Sequence, residues 1–255
     1  MSRLLGNGAL DGTAGPGLRV LAAMLLAGLV LNFLVRLPAT AEVRNIDFPG
    51  YHRSAQLVLE GRSEELYRSE VAPFTNLPIV SVLLAPLGRL EYADAWRVMW
   101  WLNLCCFAAS FGLLLGAIAR FFPPLTWPGA LLASLIFLAF APVMRRCLVL
   151  GQTTPLMLLA LTSFYWLCRS GWSRSAGALL GLVCLIKIPP ILIVGLLALR
   201  RRTSLALTAV GVITAGVLLS LLLFGTDLVG QYADRVLWDN LGRTHAAFNN
   251  QSLDG

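Results

Sequence analysis

Read from its amino terminus, the chain alternates between long apolar runs and shorter polar connectors. The runs occupy residues 18–37, 77–90, 95–119, 125–144, 148–168, 175–199 and 205–224. Most are close to the ~20 residues that a helix needs to cross a hydrocarbon core. They are apolar all round rather than striped, which predicts an all-α, polytopic transmembrane protein of about seven spans. The run 77–90 is the exception. It is short for a crossing and carries Pro78 and Pro86, so it either crosses a thinned bilayer or re-enters.

Three polar stretches frame the spans. Residues 1–17 are glycine-rich and read as a flexible cytoplasmic amino terminus, and 18–224 as the transmembrane domain. Residues 38–76 form the first extracytoplasmic loop and hold six of the thirteen acids. Within that loop the apolar spacing over 51–59 predicts a short interfacial helix ending at Gly61. Residues 225–255 read as an extracytoplasmic segment, the start of a truncated carboxyl-terminal part.

Composition agrees with this reading. Of 255 residues, 57% are hydrophobic and 13% charged, against about 45–50% apolar and 25% charged in soluble domains. The mean hydropathy is +0.74. The net charge of +7 comes from scattered arginines and one lysine, Lys187, so membrane lipids rather than nucleic acid are the expected partners. If every run crosses from a cytoplasmic amino terminus, Arg89, Arg97, Arg145, Arg146 and Arg200 to Arg202 fall inside. Arg44, Arg53, Arg62, Arg68, Arg120, Arg169 and Arg174 then fall outside. The five cysteines lack metal-ligand spacing and read as packing residues. The seven tryptophans read as an interfacial belt. No Walker loop, dinucleotide fingerprint, HExxH or nucleophile elbow is present, which excludes the reactions those motifs carry.

Candidate chemistry then rests on a few polar residues. Lys187 lies in an apolar run just before Pro189 and Pro190, a pair that breaks or kinks a helix. It is either a cation aimed at an anionic head group, or a lysine snorkelling from a helix end or paired with a buried acceptor. Asp47, in Arg44-Asn45-Ile46-Asp47-Phe48-Pro49-Gly50-Tyr51, is either a general base at the membrane surface, or a helix N-cap or a loop acid solvated by water. Gln152, in Gly151-Gln152-Thr153-Thr154-Pro155, joins two spans and suits sugar hydroxyls or the capping of the following helix. Asn250, Gln251 and Ser252 form an amide-rich cluster near the carboxyl end and also spell a glycosylation sequon.

The order of these elements resembles glycosyltransferase family 87, the polyprenol-phosphate-mannose-dependent α-1,2-mannosyltransferase-like proteins of the GT-C fold. The resemblance is carried by Asp47-Phe48-x-x-Tyr51, by Ala55, Gly61 and Tyr67, and by the proline-bearing run from Leu77 to Leu87. Gly151-Gln152, Ala176-Gly177 through Lys187-x-Pro189, and Asn250-Gln251-Ser252-Leu253 continue it. The resemblance implies transfer of a hexose, mannose in the family, from a polyprenyl-phosphate donor to a lipid-linked or cell-envelope glycan, with inversion. It implies Asp47 as base, Lys187 and Arg44 at the donor phosphate, and Tyr51, Gln152, Asn250, Gln251 and Ser252 in the sugar or acceptor pocket. No metal ligand or cofactor beyond the donor substrate is implied, and a divalent-metal requirement stays open. The setting it implies is a bacterial plasma membrane, with the site on the extracytoplasmic face. Two alternatives carry different expectations: a transporter with a mid-membrane site at Lys187, and an inactive truncated remnant. The family's Tyr-Pro-Pro-like run before the short helix is replaced here by Phe74-Thr75-Asn76-Leu77-Pro78.

Overall fold

The computed structural model describes residues 16–37, 47–68, 74–121 and 141–238, and among them every regular element is helical. The helices are α1 (Pro16–Arg36), α2 (Phe48–Leu59), α3 (Pro78–Gly88), α4 (Tyr92–Phe121), α5 (141–150), α6 (Thr154–Arg169), α7 (Ser173–Ile186), α8 (Ile191–Leu199) and α9 (Thr203–Tyr232). A 3-10 turn, Ser63–Glu65, follows α2, and a π-helical turn, Ala233–Trp238, extends α9. Among the described residues two stretches are long and apolar enough to cross a bilayer, Tyr92–Ala117 and Thr203–Trp238. Shorter apolar helices stand beside them, including Ala27–Arg36 and Ser173–Ile186.

One end of the bundle is fixed by aromatic packing. Phe48, fully buried, begins α2 and lies 5.6 Å from Tyr92 and 5.5 Å from Trp96 between ring centroids. His52 meets Tyr92 edge-on and pairs with the carbonyl oxygen of Leu90 at 3.0 Å. The start of α4 therefore sits against the start of α2. The helix α3 also stays at this end. Its last residue, Gly88, approaches the α2 backbone so closely that a Cβ would lie 2.7 Å from the carbonyl carbon of Ala55. The run 77–90 thus lies along α2 instead of passing to the far face. Arg89 and Arg97 consequently lie at the Asp47 end, and not opposite it as a full crossing would require.

From this end α4 and α6 run side by side toward the other. Asn103 Nδ2 of α4 donates to the Gln152 carbonyl at 2.9 Å, and further along Gly116 packs on the Trp166 ring. The helix α1 runs the opposite way: Phe33 stacks near Phe107 at 5.6 Å, and Leu37 joins the cluster that contains Phe48.

Two boundaries differ from the sequence reading. Residues 125–140 lie outside the described part, but α5 continues through Arg145 and Arg146 to Leu150. The break falls at Gly151, whose φ of +71° no ordinary side chain adopts cheaply, with Pro155 supplying the start of α6. The paired arginines had marked the wrong spot. The run 175–199 is likewise not one straight helix. Lys187 has extended backbone (φ −144°, ψ 137°), and the Pro189-Pro190 turn starts a second helix.

The direction of that second helix follows from glycine contacts. A Cβ on Gly177 would meet the Leu205 carbonyl, one on Gly181 the Ala209 carbonyl, and one on Gly216 the Leu185 side chain. So α7 and α9 run parallel, and α8 must return to the level where α7 began. Arg169, Arg174 and Arg200 to Arg202 accordingly share the end opposite Asp47, so the expectation that separated Arg169 and Arg174 from the Arg200 to Arg202 run does not hold. Small residues four apart let two apolar helices approach closely, which is how helices associate where lipid offers no hydrophobic drive. Gly181→Val is expected to lower the unfolding midpoint in detergent by the equivalent of roughly 1–3 kcal/mol, because overpacking meets backbone that cannot yield. An unchanged midpoint would refute the close approach of α7 and α9.

Not all the tryptophans form a belt: Trp96 and Trp100 are buried, whereas Trp101, Trp172 and Trp238 are exposed. All five cysteines are free thiols.

Candidate active site

Asp47 occupies the N-cap position of α2 but makes no side-chain capping hydrogen bond. Its carboxylate instead reaches across 105 residues of sequence. Gln152 Nε2 donates to Asp47 Oδ2 at 2.7 Å, and the Asp47 backbone N–H donates to the Leu150 carbonyl at 3.0 Å. Asp47 thus holds the N-cap position without its side chain capping the helix. Gly151 makes this approach possible, because a Cβ there would lie 2.7 Å from both Phe48 Cβ and the Trp96 ring.

The network continues toward the helix break. Thr154 Oγ1 donates to Gln152 Oε1 at 3.2 Å, and Lys187 Nζ stands 3.5 Å from the same hydroxyl. Cys147 lies among Thr154, Lys187 and Asp47. Lys187 is half-buried and, among the described residues, forms no ion pair. A desolvated ammonium without a carboxylate partner is an unfavourable arrangement unless an anion completes it.

Tyr51 is buried one turn after Asp47, beside Thr153. Burial pushes its phenol above the ordinary value, with the Asp47 charge acting in the same direction and hydrogen bonding to Thr153 against it. The phenol stays protonated and can donate.

Two buried amides that were not singled out by sequence complete the surroundings. Asn76 Nδ2 donates to the Ile186 carbonyl at 2.9 Å, and the Asn76 carbonyl accepts from Tyr67 Oη at 2.7 Å. Asn76 thus ties the first loop to the carbonyl just before Lys187, where the broken helix leaves acceptors free. Asn103 fixes the Gln152 backbone through Nδ2, while its Oδ1 is buried with no partner among the described residues. An orphaned buried acceptor beside a candidate site is what a ligand hydroxyl would satisfy. The available signal in the sequence is an amide inside an apolar run. The segment after Gly225 also packs onto the loop: Tyr232 lies 6.0 Å from Tyr67, and Arg235 Nη1 donates to the Tyr67 carbonyl at 3.2 Å.

The structure therefore brings Asp47, Tyr51, Gln152 and Lys187 to one end of the bundle. Arg44, Asn250, Gln251 and Ser252 lie outside the described residues. Among the described residues no group of three His, Cys, Asp or Glu side chains is arranged to hold a metal ion.

The described part is an all-α protein with helices long and apolar enough to cross a membrane and a carboxylate bonded into a helix break. Residues 74–255 match the family model of glycosyltransferase family 87, and the chain belongs to that family. It is a glycosyltransferase built on membrane helices. The matched segment contains Gln152, Lys187 and the Asn250 to Ser252 cluster, and begins after Asp47 and Tyr51. No curated protein and no solved structure matches the chain.

Proposed function

We propose that this glycosyltransferase moves a hexose, mannose by its resemblance to the polyprenol-phosphate-mannose-dependent members, from a polyprenyl-phosphate donor to a lipid-linked or cell-envelope glycan. The single observation that supports this most is the Asp47–Gln152–Thr154–Lys187 chain of contacts. It sets a fixed carboxylate and an uncompensated ammonium at one site.

In the proposed step an acceptor hydroxyl oxygen attacks the anomeric carbon while Asp47 Oδ1 takes its proton. The bond from that carbon to the phosphate oxygen breaks on the opposite side, so the configuration inverts. The polyprenyl phosphate leaves with the electron pair, its charge met by Lys187 and Arg44 in a water-poor setting. Gln152 holds Oδ2 so that Oδ1 keeps one orientation. The Tyr51 phenol, the Asn103 acceptor and the Asn250, Gln251 and Ser252 cluster would bind sugar or acceptor hydroxyls. A single displacement needs one such base, whereas retention needs a second carboxylate as nucleophile.

The extracytoplasmic placement of the site rests on the family resemblance, since arginines stand at both ends of the bundle: Arg53, Arg62, Arg68, Arg89, Arg97 and Arg235 belong to elements at the Asp47 end, and Arg120, Arg169, Arg174 and Arg200 to Arg202 to the other.

The test is transfer by purified protein from a radiolabelled polyprenyl-phosphate hexose, set against the corresponding nucleotide sugar. Expected is product from the lipid donor alone, and for Lys187→Gln a rise of about tenfold in KM for that donor, since losing a charged contact to a phosphate costs ~1.5 kcal/mol or more. Use of the nucleotide sugar in place of the lipid would overturn the proposal.

A further inference from the structure

The end of the bundle opposite Asp47 holds a second concave site that glycosyl transfer does not use. It is a pocket of about 500 Å³ between the end of α6, the start of α7 and the Arg200 to Arg202 turn. Its lining includes Arg169, Arg201, Arg202, Tyr165, Ser173 and Ser204. Ser173 and Ser204 belong to the first turns of α7 and α9, where the helix dipole favours an anion, although the Ser173 N–H is already given to the Gly171 carbonyl at 3.0 Å.

Among the described residues Arg201 and Arg202 form no ion pair. No aspartate or glutamate occurs anywhere between Asp94 and Asp227, so none of the helices that form the pocket can supply one. Complementing the carboxyl end of α6 accounts for Arg169. It does not account for Arg201, which sits in the left-handed region (φ +55°) at the end of α8. Glycine is the residue ordinarily found there, and a side chain costs stability in that conformation.

Leu197 and Leu205 line the pocket itself, and the helices that carry it present further apolar surface. Leu192, Leu196 and Leu199 of α8 and Leu207 of α9 are 78%, 55%, 83% and 70% exposed. Exposed Trp172 stands at the turn that precedes α7, the level at which tryptophan anchors to a membrane interface. A ligand with an anionic head and two apolar tails fits this combination; a free anion would leave the leucine flank unused.

We propose that the pocket binds the phosphodiester head group of an anionic phospholipid of the adjoining leaflet, with Arg201 and Arg202 on the phosphate and the acyl chains along α8 and α9. The site is separate from the transferase site and is independent of which sugar that site transfers.

The test is native mass spectrometry of the full chain in neutral detergent, titrated with phosphatidylglycerol, phosphatidylcholine or inorganic phosphate. Expected is retention of phosphatidylglycerol but not phosphatidylcholine, weakening with added salt, and no displacement by millimolar phosphate. The variant R201G/R202Q should bind phosphatidylglycerol about 25-fold more weakly, each arginine at an anionic surface contributing roughly fivefold. Arg201→Gly alone should give about a fivefold loss with an unfolding midpoint at or above the parent's, because glycine relieves the left-handed turn. That variant decides the matter even where the double variant folds poorly. Equal retention of the two lipids, parental affinity in Arg201→Gly, or displacement by inorganic phosphate would each overturn the assignment, the last by giving the pocket to a soluble anion.

Discussion

Asp47→Asn is expected to reduce sugar transfer by about 10²–10⁴-fold, the range associated with loss of a positioned general base, while leaving the fold intact. The reasoning is geometric. Asparagine has nearly the same volume as aspartate, and its Oδ1 can accept the hydrogen bond that Gln152 Nε2 now gives to Asp47 Oδ2 at 2.7 Å. The backbone bond to Leu150 is untouched. What disappears is the capacity to take a proton from the acceptor hydroxyl. The measurement is turnover with saturating lipid donor, alongside the unfolding midpoint of the purified variant. Turnover within a factor of three of the parent, with the midpoint preserved, would remove Asp47 from the reaction.

The second large effect is expected at Gly151. An alanine there must adopt φ near +71°, at a cost of about 1 kcal/mol. It must also place its Cβ 2.7 Å from Phe48 and Trp96, an overpacking that adds roughly 1–3 kcal/mol. The clash falls between the two residues whose contact seats Asp47 against Gln152. Gly151→Ala should therefore lose ~2–4 kcal/mol of stability and more than ~90% of its activity. Gly171→Ala provides the control, since it shares the left-handed geometry (φ +84°) and a Cβ there meets nothing within 4 Å. Equal melting shifts for the two variants would show that packing at Gly151 is unimportant.

These predictions rest on features that were legible in the sequence to different degrees. The helix α2 was visible because Gly61 stops it and its apolar spacing is local information; its start, three residues earlier than expected, is set by burial of Phe48 beneath Tyr92 and Trp96. The end of the last apolar run was visible too, since Gly225 breaks it at φ +78°. Charge was a poorer guide than backbone chemistry. Arg145 and Arg146 resembled a connector, yet the chain turns at Gly151, where conformation demands it. The return of α8 was not legible at all. A proline pair says that a helix breaks but not which way the next one goes, and here the close contacts of Gly177, Gly181 and Gly216 decide the direction.

The site divides along the same line. Asp47, Tyr51, Gln152 and Lys187 were legible as residue types out of place, a carboxylate at a membrane surface and a lysine in an apolar run. Their convergence was not, because no local rule connects positions 105 residues apart. Asn76 and Asn103 escaped for the opposite reason. Neutral amides are common enough in apolar helices to attract no notice, and only their buried partners reveal that one anchors the loop and the other holds the Gln152 backbone.

The hairpin of α7 and α8 has a consequence for biogenesis. A segment that enters and leaves through the same leaflet is topologically silent: whatever follows keeps the sidedness it would have had without it. Its apex carries Lys187 to the Asp47 end of the bundle, beside Thr154. The hairpin gains its shelter only when α9 lies against Gly177 and Gly181, so its two limbs and α9 assemble as one unit.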